Sequence, residues 1–211
     1  RMSDFAYLSR SGPEICVAST KAFTAQISWG LLLAKTVVGR YAEARKAIYS
    51  LSETLQNFFN EKLFDQIKDI ANRMVNLEHF FVLGKGQNGY IALEGALKVK
   101  EITYKHFEGF TAGELKHGVI ALVEKGTPII SIVSNDTNKA DMYSATAEVK
   151  ARGAWTIGVA KEKNELFDDV VVLPDAGIAD PIVNVIPFQL LSYFLGVKLG
   201  NSPDKPRNLA K

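Results

Sequence analysis

The sequence predicts an α/β fold, an αβα sandwich in which helices cover both faces of a parallel sheet. Helical stretches alternate with four short apolar runs, at residues 80–83, 128–133, 154–159 and 170–173. These runs are apolar on both faces, which is typical of strands that helices cover on either side. Because the alternation continues to residue 199, residues 80–199 are predicted to form a complete doubly wound domain.

The helices of this domain are predicted from periodicity and turn signals, over residues 90–104, 137–152 and 181–199. A turn rich in glycine, residues 84–89, leads from the first strand into the first of these helices. Its glycines resemble a dinucleotide fingerprint only loosely, and no acidic residue follows at the usual distance. A tight turn from strand to helix is the interpretation that we favour.

The beginning of the chain predicts elements of another domain. Residues 5–10 and 15–18 are strand-like, and helices are predicted over 21–38, 41–59 and 64–77. Ser19 or Thr20 can cap the first helix, since a hydroxyl accepts a hydrogen bond from the N–H groups of a first turn. We expect the residues near the start to form an incomplete second sheet.

Composition excludes several classes of partner. The net charge of +2 and the scattered basic residues provide no surface for nucleic acid or for an anionic membrane. The longest apolar stretch, residues 27–39, contains Lys35 and is too short to span a bilayer. Cys16 is the single cysteine, so no intrachain disulfide can form, which favours a reducing, cytoplasmic location. We expect Cys16 to be a small buried apolar residue.

Three charged residues form a stripe on the predicted helix that follows the glycine-rich turn. At 100° per residue, Glu94, Lys98 and Glu101 lie within about 60° of one another, and most of the remaining surface is apolar. One interpretation is a set of salt bridges on a partly exposed face. The other is a general base, Glu101, beside a lysine that tunes it and binds anionic oxygen.

A histidine follows downstream in the segment Gly-Glu-Leu-Lys-His-Gly. His117 lies between a lysine and a glycine on a connecting loop, where it can act as an acid or a base near neutral pH, although a structural role is the other interpretation. His79 and His106 have no ligand spacing with it, so we expect no metal site.

Four segments together resemble the glutamine–fructose-6-phosphate aminotransferases, and they occur in that family's order. They are CVASTKAF (16–23), ALEGALKVKE (92–101), AGELKHG (112–118) and PRNLAK (206–211). The resemblance implies two sugar-isomerase (SIS) subdomains in tandem. It implies that residues 1–60 are the end of the first subdomain with linking helices, that 61–199 are the second subdomain, and that 200–211 are a catalytic tail.

The resemblance also implies roles for individual residues. Glu101 is expected to move the proton between C1 and C2 of fructose 6-phosphate, with Lys98 beside it assisting at O1 and O2. His117 is expected to open the sugar ring from the neighbouring subunit of a homodimer, and Lys211 to form a Schiff base with the ketose carbonyl. The sugar-binding residues implied are Val17, Ser19, Glu94 and Ala210.

The family's reaction implies fructose 6-phosphate as substrate, ammonia that a glutaminase domain releases from glutamine, and no cofactor. The chain begins after the family's Ser/Thr-rich phosphate loop, and residues 84–89 contain neither Ser nor Thr. We therefore expect this chain alone to be inactive. The alternatives are a stand-alone SIS-type sugar-phosphate isomerase or deaminase, and a non-catalytic SIS module that binds a sugar phosphate.

Overall fold

A computed structural model describes residues 3–16 and 18–209. Three helices precede the first strand: α1 (Lys21–Val37), α2 (Tyr41–Phe58) and α3 (Glu61–Met74). The α/β region then continues with β1 (His79–Gly84), α4 (Gln87–Thr103), β2 (His106–Thr111), β3 (Pro128–Val133), α5 (Lys139–Lys150), β4 (Trp155–Ala160), β5 (Asp169–Val172), α6 (Asp180–Asn184) and α7 (Ile186–Lys198). Two 3₁₀ helices, Ala112–His117 and Val119–Leu122, lie between β2 and β3, and a third, Gly177–Ala179, precedes α6.

The sheet has five parallel strands in the order β2-β1-β3-β4-β5, which confirms the predicted α/β class. All six residues of β3 and all six of β4 are buried, because both strands lie inside the sheet under helices. In β1, successive side chains point to opposite faces. Phe80 contributes to one apolar core and Phe81 to the other.

These two cores define the three layers of the sandwich. The larger core lies between the sheet and the helices α3, α4 and α7. The smaller core lies between the opposite face of the sheet, α5 and the 3₁₀ helices that follow β2. Within the larger core the rings of Phe80 and Phe107 stack with their centroids 4.2 Å apart, across the pair β1 and β2. The catalytic candidates on α4 are therefore carried by a helix packed directly on the sheet.

Two predicted features of the α/β domain differ in detail from the structure. The strand β2 was not predicted, because its sequence HFEGFT mixes polar and apolar residues, as suits a half-exposed edge strand. The single helix predicted over 181–199 is two helices, α6 and α7, that meet at Val185. Pro187 lies in the first turn of α7, where its missing N–H leaves no hydrogen bond unmade.

The incomplete second sheet predicted near the start is wrong for the described residues. Residues 5–10 form no strand, and the first strand in residues 3–16 and 18–209 is β1. The cap of α1 also differs from the prediction. Thr20 occupies the N-cap position without a capping bond from its side chain, and the carboxylate of Glu14 accepts the Ala22 N–H at 3.0 Å instead.

One stretch of the described chain, Gly177–Lys198, is long and apolar enough to cross a membrane, with a mean hydropathy of 1.4. In the structure, 67% of its most apolar window is buried inside the protein. Its C-terminal part is α7, whose residues Phe188, Leu191 and Leu195 belong to the larger core. The apolar character of this stretch is therefore explained by packing within the domain.

Close packing between α4 and α7 gives a testable prediction at Gly95. A Cβ atom at this position would lie 2.6 Å from Cγ of Phe188, closer than packed atoms approach. We expect Gly95→Ala to lower the free energy of unfolding by about 1–2 kcal/mol, since overpacking outweighs the gain in helix propensity.

The matched control is Gly30→Ala on α1, where a Cβ atom would meet nothing within 4 Å. This change is expected to stabilise the protein by about 0.5–1 kcal/mol. Chemical denaturation of both variants measures the two effects, and an equal gain at Gly95 would contradict the described packing of α4 on α7.

Candidate active site

The turn that begins α4 depends on glycine at two positions. A Cβ atom at Gly84 would lie 2.0 Å from the carbonyl oxygen of Asn88, so no other residue fits there. Gly86 has φ of 59°, in the left-handed region that favours glycine. The interpretation of residues 84–89 as a tight turn from strand to helix is confirmed.

A buried polar cluster fills the crevice at the carboxyl ends of β1 and β3. The amides of Asn88 and Asn184 bond to each other at 2.8 Å, and both donate to the Ser134 hydroxyl, at 3.0 and 2.9 Å. Beside them Lys161 forms a buried ion pair with Asp180, with 2.8 Å between Nζ and Oδ1. Ligands of open α/β sheets usually bind in this crevice, where the strand order reverses. Here the domain's own side chains occupy it.

The predicted stripe on α4 is present as a compact group of three charges. Lys98 Nζ donates to Oε2 of Glu101 at 2.7 Å and lies 3.4 Å from Oε1 of Glu94. The Lys98 side chain is only 4% exposed, and each glutamate side chain is 18% exposed. A lysine held between two carboxylates in a mostly buried position is unlike a solvated surface ion pair. The geometry suits a carboxylate that is shielded from bulk water yet reachable at its edge.

Glu94 also lines a groove of about 470 Å³ between α1 and α4. Phe23 and Ile27 form the α1 side of the groove, and most of its surface is apolar. The α4 side includes the exposed side chains of Tyr90 and Leu97. Lys98 and Glu101 do not line this groove, so only one end of the stripe opens into it.

His117 lies on the side of the domain away from Glu101. It ends the 3₁₀ helix that follows the carboxyl end of β2, and it is exposed. Glu101 is five residues before β2 begins, and a strand of six residues spans about 17 Å. Among the described residues no hydrogen bond or ion pair joins His117 to α4. A joint role for these two residues within one copy of the chain is therefore not supported by this arrangement.

The segment before α1 contacts the C-terminal tail. The half-buried thiol of Cys16 donates to the carbonyl of Pro203 and accepts the Ala18 N–H at 3.2 Å. The prediction of a buried apolar cysteine is thus wrong, since the thiol forms hydrogen bonds. Ser19 is half-buried, with its hydroxyl 3.5 Å from Glu14. Val17, Ala210 and Lys211, the other predicted site residues in these segments, lie outside the described residues.

Glu14 organises this segment through its carboxylate. Burial raises the pKa of Glu14, but hydrogen bonds from the Ala22 N–H and from the Thr20 hydroxyl outweigh that effect. The pKa of Glu14 therefore lies below its ordinary value. A charged carboxylate at the N-terminus of α1 also interacts favourably with the helix dipole. These bonds hold Glu14 against the first turn of α1.

Sequence reasoning missed the contact between the tail and the end of α4. The Tyr104 hydroxyl accepts the backbone N–H of Arg207 at 2.8 Å, and the Arg207 guanidinium lies 4.2 Å from the centroid of the Tyr104 ring. The side-chain amide of Asn201 donates to the carbonyl of Ile102 at 2.9 Å. About 100 residues separate these partners, so no local pattern in the sequence could have indicated them.

The SIS domain family profile matches residues 74–194, which include the whole sheet and the α4 stripe. The chain belongs to the SIS domain family. The domain boundaries predicted from the resemblance, at residues 60 and 199, remain predictions.

The resemblance drawn from the four segments is confirmed over the whole chain. The chain is 42% identical over its full length to a glutamine–fructose-6-phosphate aminotransferase of Idiomarina loihiensis, of which it covers 36%. Its fold is similar to that of the C-terminal domain of glucosamine-fructose-6-phosphate aminotransferase from Francisella tularensis, with a TM-score of 0.86. The sequence identity is 36%, and the match covers 96% of this chain and 60% of that chain. The chain thus spans about a third of the length of the curated relatives it matches.

A glucosamine-6-phosphate deaminase from Thermotoga maritima is similar in fold, with a TM-score of 0.71. The identity is 23%, over 94% of this chain and 58% of that chain. At this identity the likeness concerns the fold alone.

The α4 stripe predicts a strong dependence on Lys98. Lys98→Met leaves two carboxylates mostly buried and without their shared cation, so we expect the free energy of unfolding at pH 7 to fall by about 2–4 kcal/mol. The control is Lys68→Met on α3, which removes an ion pair also three residues apart but 48% and 68% exposed, where the expected loss is below about 1 kcal/mol. Equal losses in denaturant titrations would mean that the stripe is an ordinary surface ion pair.

Proposed function

We propose that this chain is the isomerase portion of a glutamine–fructose-6-phosphate aminotransferase, which makes glucosamine 6-phosphate from fructose 6-phosphate. The observation that carries the proposal is the shielded Glu94, Lys98 and Glu101 group, on a segment that resembles that family residue by residue. Whole-length identity to proteins of that name supports it.

In the proposed reaction Glu101 is the general base. Once nitrogen has replaced the oxygen at C2 as an imine, the carboxylate takes a proton from C1, and the electron pair of the C–H bond forms a double bond between C1 and C2. The electron pair of the C2–N double bond moves to nitrogen, which takes up a proton and becomes the amino group. The carboxylic acid then returns the proton to C2, and the hydroxyl at C1 becomes a carbonyl by loss of its own proton. A carboxylate serves in both steps because it accepts the proton as a base and, once protonated, returns it as an acid.

Lys98 supports this chemistry by its position. Its ammonium group lies 2.7 Å from the Glu101 carboxylate and has two other hydrogens to donate. Negative charge that develops on O1 or O2 during proton transfer would be stabilised by such a donor. We therefore assign Lys98 to the oxygens of the sugar. Glu94 is assigned to a contact with the sugar, and it is also the second carboxylate beside Lys98.

Nitrogen enters at C2 in the proposed reaction. The Lys211 amine adds to the C2 carbonyl and water leaves, which gives an imine. Ammonia derived from glutamine then adds at C2 and expels the lysine. The flanking residues Val17, Ser19 and Ala210 are assigned to sugar contacts because they match the family's motifs.

A second copy of the chain completes the proposed site. His117 lies away from Glu101 within one copy, so its assignment to ring opening requires that it comes from the partner of a homodimer. A glutaminase domain would supply the ammonia. We assign the protein to the cytoplasm, because a single cysteine favours a reducing compartment. The chemistry uses protein side chains alone, so no cofactor is proposed.

We further propose that this chain alone does not convert fructose 6-phosphate. The crevice where an α/β domain usually binds a phosphate is filled by Asn88, Ser134 and Asn184, all buried. The turn at residues 84–89 offers no hydroxyl to a phosphate. The substrate phosphate is therefore expected to bind to a part of the protein outside this chain.

Two other functions use the same fold. A stand-alone SIS-type isomerase or deaminase would need the α4 stripe but not a reactive lysine in the tail. A non-catalytic module that binds a sugar phosphate would need neither. Lys98 and Glu101 in a mostly buried pair favour a catalytic role over the last of these.

The proposal predicts separate effects for the base and the imine former in the full-length protein. Glu101→Gln keeps the size of the side chain but removes the proton acceptor, so turnover is expected to fall by about 10²–10⁴-fold. Borohydride should still trap the sugar on this variant. Lys211→Ala should abolish trapping, because the amine that forms the imine is gone.

Turnover and covalently retained sugar are measured on the same preparations. Glu61→Gln, on the exposed start of α3, is the matched control and should change neither quantity. Near-normal turnover of Glu101→Gln would overturn the assignment of the base. Unchanged trapping on Lys211→Ala would overturn the assignment of the imine former.

A further inference from the structure

The end of α4 has an unusual residue in a left-handed conformation. Tyr104 follows the last residue of α4, and its φ is 61°. Glycine is the common residue at this position of a helix, since a side chain with positive φ is strained. A bulky residue is retained in such a conformation where its side chain has a use, and strained backbone is concentrated at functional sites.

The side chain of Tyr104 is used to hold the tail. Its hydroxyl accepts a hydrogen bond from the Arg207 N–H at 2.8 Å. The Arg207 guanidinium lies over its ring, 4.2 Å from the centroid. Both contacts come from one residue, so the backbone and the side chain of Arg207 are fixed together. A backbone bond to a side chain also fixes the direction of the tail at this point.

Other contacts bring the tail to Tyr104. Asn201 donates to the carbonyl of Ile102, two residues before Tyr104, and Pro203 accepts from Cys16. Pro206 is buried, and Asn208 has φ of 61°, so the chain turns directly after Arg207. The described tail thus contacts the end of α4 at Asn201 and at Arg207.

Glu101 is three residues before Tyr104, which is about 4.5 Å along the helix axis. We propose that Tyr104 is a positioning residue, which holds the tail at the end of the helix that carries Glu101 and so sets the reactivity of Lys211 towards the sugar. This inference rests on the proposed imine role of Lys211. The chemistry stays with Lys211 and Glu101, and Tyr104 acts on it through Arg207.

Two substitutions at Tyr104 separate positioning from simple stability. Tyr104→Phe keeps the ring and removes the acceptor of the Arg207 N–H, so hydrogen exchange of that amide should accelerate about fivefold or more. Tyr104→Gly removes both contacts and relieves the positive φ. We expect thermal stability of the glycine variant to be unchanged or higher, while its rate of borohydride trapping on the full-length protein falls at least tenfold. If Tyr104 had only a structural role, Tyr104→Gly would lower thermal stability and the trapping rate together.

The control is Tyr143→Phe on α5, whose hydroxyl donates to Glu162 while Lys139 lies 5.9 Å from its ring. It removes the same atom from a similar setting on the other face of the sheet, and it should leave trapping and Arg207 exchange unchanged. Arg207→Lys keeps the charge but loses the planar stack, and an intermediate trapping rate is expected.

The outcomes separate this inference from the proposed function. An unchanged hydrogen-exchange rate of the Arg207 amide in Tyr104→Phe would show that the Tyr104 hydroxyl does not hold Arg207. An unchanged rate of borohydride trapping in Tyr104→Gly would overturn the positioning role. If Lys211→Ala still traps sugar, the proposed imine fails, and the positioning inference fails with it. Three results together support the imine role of Lys211 and the positioning role of Tyr104. They are loss of trapping in Lys211→Ala, faster exchange of the Arg207 amide in Tyr104→Phe, and slower trapping in Tyr104→Gly.

Discussion

The arrangement of the candidate site depends on one buried cation, Lys98, between two carboxylates. A lysine that is 4% exposed is stable as a charge only if its partners remain charged and close, and Glu94 and Glu101 provide this within one helix. The same contact prevents Glu101 from taking an arbitrary rotamer. Lys98 therefore provides the charge partner of a carboxylate in a mostly buried position, where an unpaired charge would be costly.

The rest of the domain holds α4 in the position that this requires. Gly84 and Gly86 allow the helix to begin directly at the end of β1, and Gly95 lets it approach the ring of Phe188 on α7. Its far end is fixed by Tyr104 and by the tail. Within this packing Lys98 is buried, and Glu94 and Glu101 remain partly exposed beside it.

Much of the fold could be predicted because the inner strands are apolar on both faces. Strands that are apolar on both faces are typical of the middle of a sheet that helices cover. The predicted strands at residues 128–133 and 154–159 correspond to β3 and β4, which are buried throughout. The edge strand β2 could not be predicted from its mixed composition. Residues 5–10 have the composition of a strand, but the described chain forms no strand before β1.

The site was predictable only where it is local. Glu94, Lys98 and Glu101 are neighbours through helix geometry, so their spacing alone indicated the stripe. The contacts of Tyr104 with Arg207 and of Cys16 with Pro203 join residues 103 and 187 positions apart, which depend on the whole fold. The separation of His117 from Glu101 likewise depends on the direction of β2, and the sequence motifs do not indicate that direction.

The most direct test of the account follows hydrogen at C1 of the sugar. Fructose 6-phosphate deuterated at C1 is incubated with the full-length protein, with and without Glu101→Gln, and the label is located by NMR. The account predicts that deuterium leaves C1 for solvent or for C2 of glucosamine 6-phosphate in the unsubstituted protein, and that this transfer is slowed by about 10²-fold or more in the variant. Transfer at an equal rate in both would contradict the role of Glu101 as the base.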